Sequence, residues 1–413
     1  MRKTFSLLFV AVCISGCAAT VESRLDSVRT DYMMETPESH DVVNKNNLDL
    51  LIAADALFHV DDMTGADAAY EEFNKRNIDT TSGDIGRELA TLTLGTNVND
   101  YKPYMMDLLF VSYYQLWAAI SDGRWNDARV IINQSYARQT NMSRAYEKLI
   151  ESNQKSSAEN NEIVQTLKDE NSKWTAYRDI MNPALMYLSG IYFLSAGDFS
   201  DAQTYLSRAN GMVPENAFIN QDLKLSESRT RPQNTVWIFV EDSFAPKLTE
   251  RRISLPIISG AGLTTVTVAV SEPNFFDGVT RVDGTVELAD VDSMFMTEYS
   301  EYRVNDALRA FTSAASRVAL QTAMYNSHSS NAPLLGIFST LYSEFTNSAE
   351  VRTWATLPKT IYVARVNNNK SGLIELSSNG NVFETVSVPA SGNHLIYLRT
   401  VPTGYDIKVI KLK

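Results

Sequence analysis

Histidine, cysteine and closely spaced acidic residues are the side chains best able to do chemistry, and this chain uses them sparingly. His40, His59, His328 and His394 are far apart, and none has a second histidine or a cysteine at ligand spacing. A metal site is therefore not expected. Asp61-Asp62 and Glu71-Glu72 are paired acids on predicted helices. Glycoside hydrolysis needs two carboxyl groups facing one another across a cleft, whereas a helix bearing adjacent acids ordinarily presents them to water. Ser259-Gly260-Ala261-Gly262 imitates a phosphate loop but precedes no helix, so a strand-joining turn is the plainer reading. The motifs G-x-S-x-G, G-x-x-x-x-G-K-[ST] and H-E-x-x-H are all absent. No cofactor is expected, and the chain reads as non-enzymatic.

Two segments concentrate aromatic, proline and arginine residues at the entry to a strand. One runs from Trp237 to Lys247 and continues through Arg251 to Pro256. The other runs from Arg352 through Trp354 to Pro358 and continues to Arg365. These residue types dominate binding hot spots, so Trp354, Arg352, Arg365 and Trp237 are the candidate contacts for a protein or glycan partner. The competing reading is that Trp354 plugs the end of a sheet while Arg352 pairs with a carboxylate.

The N-terminus carries an address. Arg2 and Lys3 precede an apolar run from Phe5 to Ile14, too short to span a bilayer as a helix but suited to a signal sequence. The run ends in Ile14-Ser15-Gly16-Cys17, which resembles the lipobox of bacterial lipoproteins: an aliphatic residue, two small residues, then the cysteine that is acylated. This resemblance implies that residues 1–16 are removed, that Cys17 becomes the lipidated first residue, and that lipid alone anchors the chain to the membrane. Ala18, rather than an aspartate, follows Cys17. In Gram-negative lipoproteins that pattern implies the outer membrane, here facing the periplasm.

The formal net charge is −12, from 37 basic and 49 acidic residues. A nucleic-acid partner is not expected, because neutralising phosphates needs a basic excess. The acidity is local: residues 17–100 hold 6 basic against 17 acidic side chains, which favours basic partner segments there.

Hydrophobic patterning supplies the elements that must position these residues. Residues 17–45 are polar with little periodicity and read as a lipid-anchored tether. Residues 46–228 read as helical. From Met186 to Asn216, Gly190, Phe193, Gly197, Ala202, Leu206, Ala209 and Pro214 recur at the offsets of a tetratricopeptide (TPR) hairpin. Leu116, Ala119, Gly123, Trp125, Ala128 and Ile132 fit a second such unit, and Ala69 with Phe73 suggest a third. Their equivalent alanines lie 59 and 74 residues apart, so the units are separated by insertions, including a polar helical one at 141–180. Residues 229–413 change to strand patterning, interrupted by a predicted helix over 300–326 and a shorter one over 334–345. The expected fold class is α+β: an all-α domain of TPR-like hairpins, then a strand-rich α+β domain ending in a small antiparallel sheet or sandwich.

With its lipobox, TPR-like units, Ala245-Pro246-Lys247 strand and Arg352-x-Trp354-x-x-Leu357-Pro358 segment ending in Val363-Ala364-Arg365, the chain resembles a family of bacterial TPR-containing envelope lipoproteins. It departs from that pattern at Asn367-Asn368-Asn369-Lys370, where a more apolar turn is usual. The resemblance implies an envelope location and a two-part architecture, and it carries no reaction. TPR hairpins stack around a concave groove that suits extended peptides or helices. The expected function is thus an outer-membrane scaffold or adaptor that recruits envelope proteins through the groove, in peptidoglycan synthesis or surface export. The alternative is a glycan-binding lipoprotein using the C-terminal sheet.

Overall fold

Helix punctuation in the sequence is obeyed closely in the computed structural model, which describes residues 17–30, 32, 46–77, 101–156, 169, 181–259, 262–303, 306, 349–368 and 371–413. The helices are α1 (Cys17–Thr30), α2 (Asn47–His59), α3 (Met63–Asn77), α4 (Met105–Ser121), α5 (Trp125–Ser156), α6 (Pro183–Ala196), α7 (Phe199–Met212) and α8 (Ala217–Glu227). Asn46, Asn182 and Asn216 cap α2, α6 and α8 by accepting backbone N–H groups of the first turn, which satisfies donors that have no partner inside the helix. The expected hairpins form as α2–α3, α4–α5 and α6–α7. Gly197 ends α6 in the left-handed conformation at φ +80, where a side chain would be strained. Gly190 serves a different purpose: a Cβ placed there would lie 2.6 Å from Leu206 Cγ, so its absence sets how closely α6 and α7 approach.

The strands are β1 (Thr235–Asp242), β2 (Lys247–Ser259), β3 (Gly262–Asn274), β4 (Val286–Asp290), β5 (Thr360–Asn367), β6 (Leu373–Ser378), β7 (Asn381–Ser387), β8 (His394–Val401) and β9 (Gly404–Lys411). The chain is helical from 291 to 303, which begins earlier than the expected helix over 300–326. The rest of that segment, save residue 306, and the expected helix over 334–345 lie outside the described residues. So does most of the polar insertion, whose beginning is the continuation of α5 to Ser156.

The α+β class holds. A five-stranded sheet has the order β4-β5-β1-β8-β9, and β2–β3 and β6–β7 form separate two-stranded ribbons. All ladders are antiparallel except that β1 runs parallel to β8, a departure from the expected meanders. Every residue of β1 and of β8 is buried, because the sheet is covered on both faces. Val236, Ile238, Val240, Ile396 and Leu398 pack with Ile374, Leu376, Val386 and Val388 around the β6–β7 ribbon. The opposite face, with Trp237, Phe239 and Tyr397, joins the helices in one hydrophobic cluster. Trp117 of α4 stands edge-on to Phe239 and to Tyr397, each at 5.3 Å between ring centroids. The change of patterning near residue 229 therefore marks a change of secondary structure within a shared core.

Residues 17–30 correct the tether reading. They form α1, whose Val21, Leu25 and Arg29 recur at i, i+4 and i+8 and face the body, with Leu25 and Arg29 buried. One apolar residue per turn and an arginine left no apolar stripe to detect. Docking is largely polar: Arg29 donates to the carbonyls of Ala355 and Ala245 at 2.8 and 3.2 Å, and Lys247 donates to Asp26 at 2.7 Å.

Candidate functional site

The residues singled out for binding do not assemble into a surface. Trp354 is 2% exposed, and its indole N–H donates to Asp55 Oδ2 at 2.7 Å. Trp237 is fully buried on β1, and its indole N–H donates to Asp222 Oδ2 at 2.7 Å. Arg365 of β5 donates to the other oxygen of Asp222 at 2.8 Å, with its guanidinium 5.7 Å from the Trp237 ring centroid. Arg352 lies apart from all of these, paired with Glu350 near the surface. The aromatic binding patch is thus corrected to core. A buried indole N–H usually finds an acceptor, and for Trp354 and Trp237 helix-borne carboxylates supply it. Cys17 is the first residue of α1.

Two carboxylates work as pins between layers. Asp222 of α8 accepts from Trp237, Arg365 and, at 2.7 Å, the hydroxyl of Tyr187 on α6. Asp55 of α2 accepts from Tyr70 of α3 at 2.6 Å, from Trp354 and from the hydroxyl of Thr356. Burial raises both carboxyl groups, and their hydrogen bonds oppose it. Each oxygen of both carboxylates is already engaged by the protein itself.

Near Asp55 lies a larger buried polar constellation. Glu241 at the end of β1 and Arg399 on β8 are both fully buried, 3.9 Å apart. Tyr114 and Tyr397 donate to Glu241 Oε2 at 2.9 and 2.8 Å, and Arg399 donates to the carbonyl of Thr356 at 3.0 Å. Burial pushes the Glu241 carboxyl up to about 7, against the lowering effect of Arg399. The Arg399 guanidinium lies 5.5 Å from the ring centroid of Tyr32. Tyr32 in turn hydrogen-bonds His59 Nε2, while His59 Nδ1 lies 3.1 Å from Asp406 Oδ2. Lys408 joins this end by donating to Asp61 at 2.6 Å and to the His59 carbonyl at 3.2 Å.

Tyrosine, histidine and aspartate in line resemble a nucleophile, base and orienting acid. The electrostatics argue otherwise. Burial raises the Tyr32 hydroxyl well above its usual range, which keeps it protonated and a poor nucleophile near neutrality, and burial lowers His59. The line instead latches the N-terminal segment onto α2 and β9. No group of three or more His, Cys, Asp or Glu side chains suited to a metal ion occurs among the described residues.

The first helices of two hairpins are covered all round. All residues from Met105 to Ile120 on α4 and from Pro183 to Ser195 on α6 are buried. These are the first helices of their hairpins, and α4 packs on the five-stranded sheet through Trp117 against Phe239 and Tyr397. The outer helices expose their far faces: α5 buries only Ala128, Ile132, Ser135, Gln139, Met142 and Tyr146 among its described side chains. A helix apolar on all sides is a buried helix, and LLFVSYYQLWAAI and ALMYLSGIYFL carried that signal. Asp55, Glu241 and Arg399 were equally readable as ionisable residues inside apolar runs, but their partners were not.

Buried acids set a pH dependence. Glu298, whose oxygens accept from Met105 N at 2.6 Å and Met106 N at 3.0 Å, is pushed by burial from 4.5 up to about 8. Its folded pKa exceeds its unfolded one, so the native state keeps a proton that the unfolded chain has lost, and stability falls as pH rises through that window. Asp107 and Glu241, both pushed up to about 7, act in the same direction. His59 and His394, lowered by burial, oppose the trend only below their unfolded value of 6.5. Between pH 6.5 and 8 the chain should lose about 2 kcal/mol from Glu298 alone, at about 1.4 kcal/mol per unit. Denaturant unfolding across this range should show that loss, and Glu298→Gln should remove most of it. A stability that is constant or rising with pH would contradict the assignment.

Comparison with protein-family models, with curated proteins and with solved structures returns no match.

Proposed function

We propose that the chain is a non-enzymatic outer-membrane lipoprotein that holds a protein-interaction scaffold close against the periplasmic face of the membrane. The observation that carries this reading is the docking of α1. The helix begins at Cys17, the lipidated residue of the lipobox reading, and is fastened to the body through Leu25, Arg29 and Asp26. A lipid on Cys17 would therefore hold the folded part at the bilayer directly. Asp55 and Asp222 support a non-catalytic role, because both oxygens of each carboxylate are engaged by donors from other elements of the protein.

The sheet fills the inner surface of the hairpins, so the partner meets the outer helices, where α5 exposes most of one side. The acidic balance of residues 17–100 favours a basic partner segment. Recruitment of envelope proteins in peptidoglycan synthesis or surface export remains the class of task. The glycan-binding alternative centred on Trp354 is not retained, because an indole 2% exposed has no face to offer a sugar.

Photo-crosslinking in cells tests the scaffold. A crosslinking residue at Val130 of α5, which is 52% exposed, should capture a reproducible partner. The same residue at Leu373 of β6, 48% exposed, should not. Capture from neither position would sink the outer-helix reading. Cys17→Ser should separately release the protein from the membrane fraction, and unchanged fractionation would refute the anchor.

A further inference from the structure

The β2–β3 ribbon points toward the same end of the molecule as Cys17. Three contacts along α1 fix the direction. Arg29 donates to the Ala245 carbonyl, Asp26 accepts from Lys247, and Glu22 accepts from the Glu250 backbone N–H at 3.1 Å. As the numbering falls along α1 it rises along β2, so the two run antiparallel, and the start of α1 faces the distal end of the ribbon. From Glu22 back to Cys17 is about 7.5 Å of helix. From Glu250 on to Ser259, which pairs with Gly262, is about 30 Å of strand. The ribbon thus reaches about 20 Å past Cys17 along their common direction.

Charge placement follows the same geometry. Arg252, two residues beyond Glu250, stands about 7 Å along the strand, which is level with Cys17. It pairs with Glu250 at 3.1 Å, and Arg251 pairs with Glu272 at 3.2 Å. Between Arg252 and Glu272 the sequence holds no charged residue, and Leu255, Pro256, Ile257, Ile258 and Leu263 fall in its distal part. Charge ends on both strands near the level of the lipidated residue, and the uncharged part extends beyond it.

We propose that the distal β2–β3 ribbon is a second membrane contact, seated in the phospholipid interface beside the acyl chains on Cys17. The proposal rests on the anchor reading above. A protein held at Cys17 cannot keep a ribbon that projects past Cys17 out of the bilayer surface unless the body tilts away. A two-stranded ribbon is not a closed barrel, and only helices and closed barrels cross the hydrocarbon core. The ribbon therefore lies in the headgroup and upper acyl region, the depth at which interfacial elements bury apolar side chains, and does not span. An acyl anchor gives attachment without orientation, and a second contact would fix which face of the body looks into the periplasm.

The sequence offers a clean test. Cys13 leaves with the signal and Cys17 is blocked by lipid, so Ile258→Cys would carry the mature protein's lone free thiol. The lipidated protein, labelled there with an environment-sensitive fluorophore, is placed in vesicles of phosphatidylethanolamine with a minority of phosphatidylglycerol. The expected result is blue-shifted, intensified emission, quenched by lipids brominated in the acyl chain, while the same label at Val130→Cys reports water. Leu263→Cys, across the ladder from Ile258, should repeat the Ile258→Cys result. Water-like emission at both ribbon positions on a protein whose intact mass shows acylation would overturn the ribbon contact and leave the anchor standing. An unmodified mass would instead remove the anchor, and the ribbon contact with it.

Discussion

Replacing Asp222 with alanine should destabilise the protein by about 3–5 kcal/mol, the cost of leaving one partner of a buried ion pair unmatched. Arg365 is 7% exposed at its side chain and Asp222 is fully buried. Deleting the carboxylate strands the guanidinium and removes the acceptor from the Trp237 indole and the Tyr187 hydroxyl. These three donors come from β5, β1 and α6, so the loss falls on the joint between the helical layer and the sheet. Asp222→Asn keeps one acceptor oxygen but removes the opposing charge, and should lie between wild type and alanine. Denaturant unfolding measures the series. A change below about 1 kcal/mol for alanine, the range of exposed ion pairs, would mean that the site relaxes or admits water and is no pin.

The second large effect is expected at Arg399, and it should depend on pH. Arg399 is the nearest cation to Glu241 and the main electrostatic influence lowering that carboxyl against its burial. With Arg399→Met the folded pKa of Glu241 should rise further, while the unfolded value stays near 4.5. At pH 5 Glu241 would be protonated in the folded state, and the variant would lose mainly the contact to the Thr356 carbonyl. As pH rises toward 8 the folded state must either keep that proton or ionise an unpaired buried carboxylate. Because the wild-type carboxyl ionises only near 7, the deficit should grow above that pH, by about 1.4 kcal/mol at pH 8. The double variant Glu241→Gln, Arg399→Met should recover much of the loss at pH 8 and flatten the dependence. Equal deficits at pH 5 and pH 8 for the single variant would falsify the pairing.

Three of the buried ionisable residues stood in plain view. Asp55 sits in LLIAADALF, Glu241 ends WIFVE and Arg399 interrupts HLIYLRTV. An ionisable side chain inside an apolar run is one that must be paired when the run is buried. That much was legible. Trp354 shows the limit: its type and neighbours favoured a core plug but also suited a binding patch. Asp55, which decides between them, lies 299 residues away. The covering of the inner helices was hidden for a different reason. Hairpin spacing was read from glycines and alanines, which report how closely helices approach one another. They say nothing about what covers the far side.

The sequence by itself determined the local elements of this protein: the three helical hairpins, two of them with glycine turns, the asparagine caps, most of the strands and the α+β class. Each depends on residues close together in the chain, through steric freedom, capping and hydrophobic period. Tertiary structure alone decided the strand order with its parallel β1–β8 pair, the filling of the hairpins' inner surface by the sheet, and the docking of α1. It also decided that the tryptophans are core. These outcomes depend on which buried donor meets which distant carboxylate and which apolar face covers which. The free energy of those contacts is set by burial and pairing in space, and no local pattern encodes the partner.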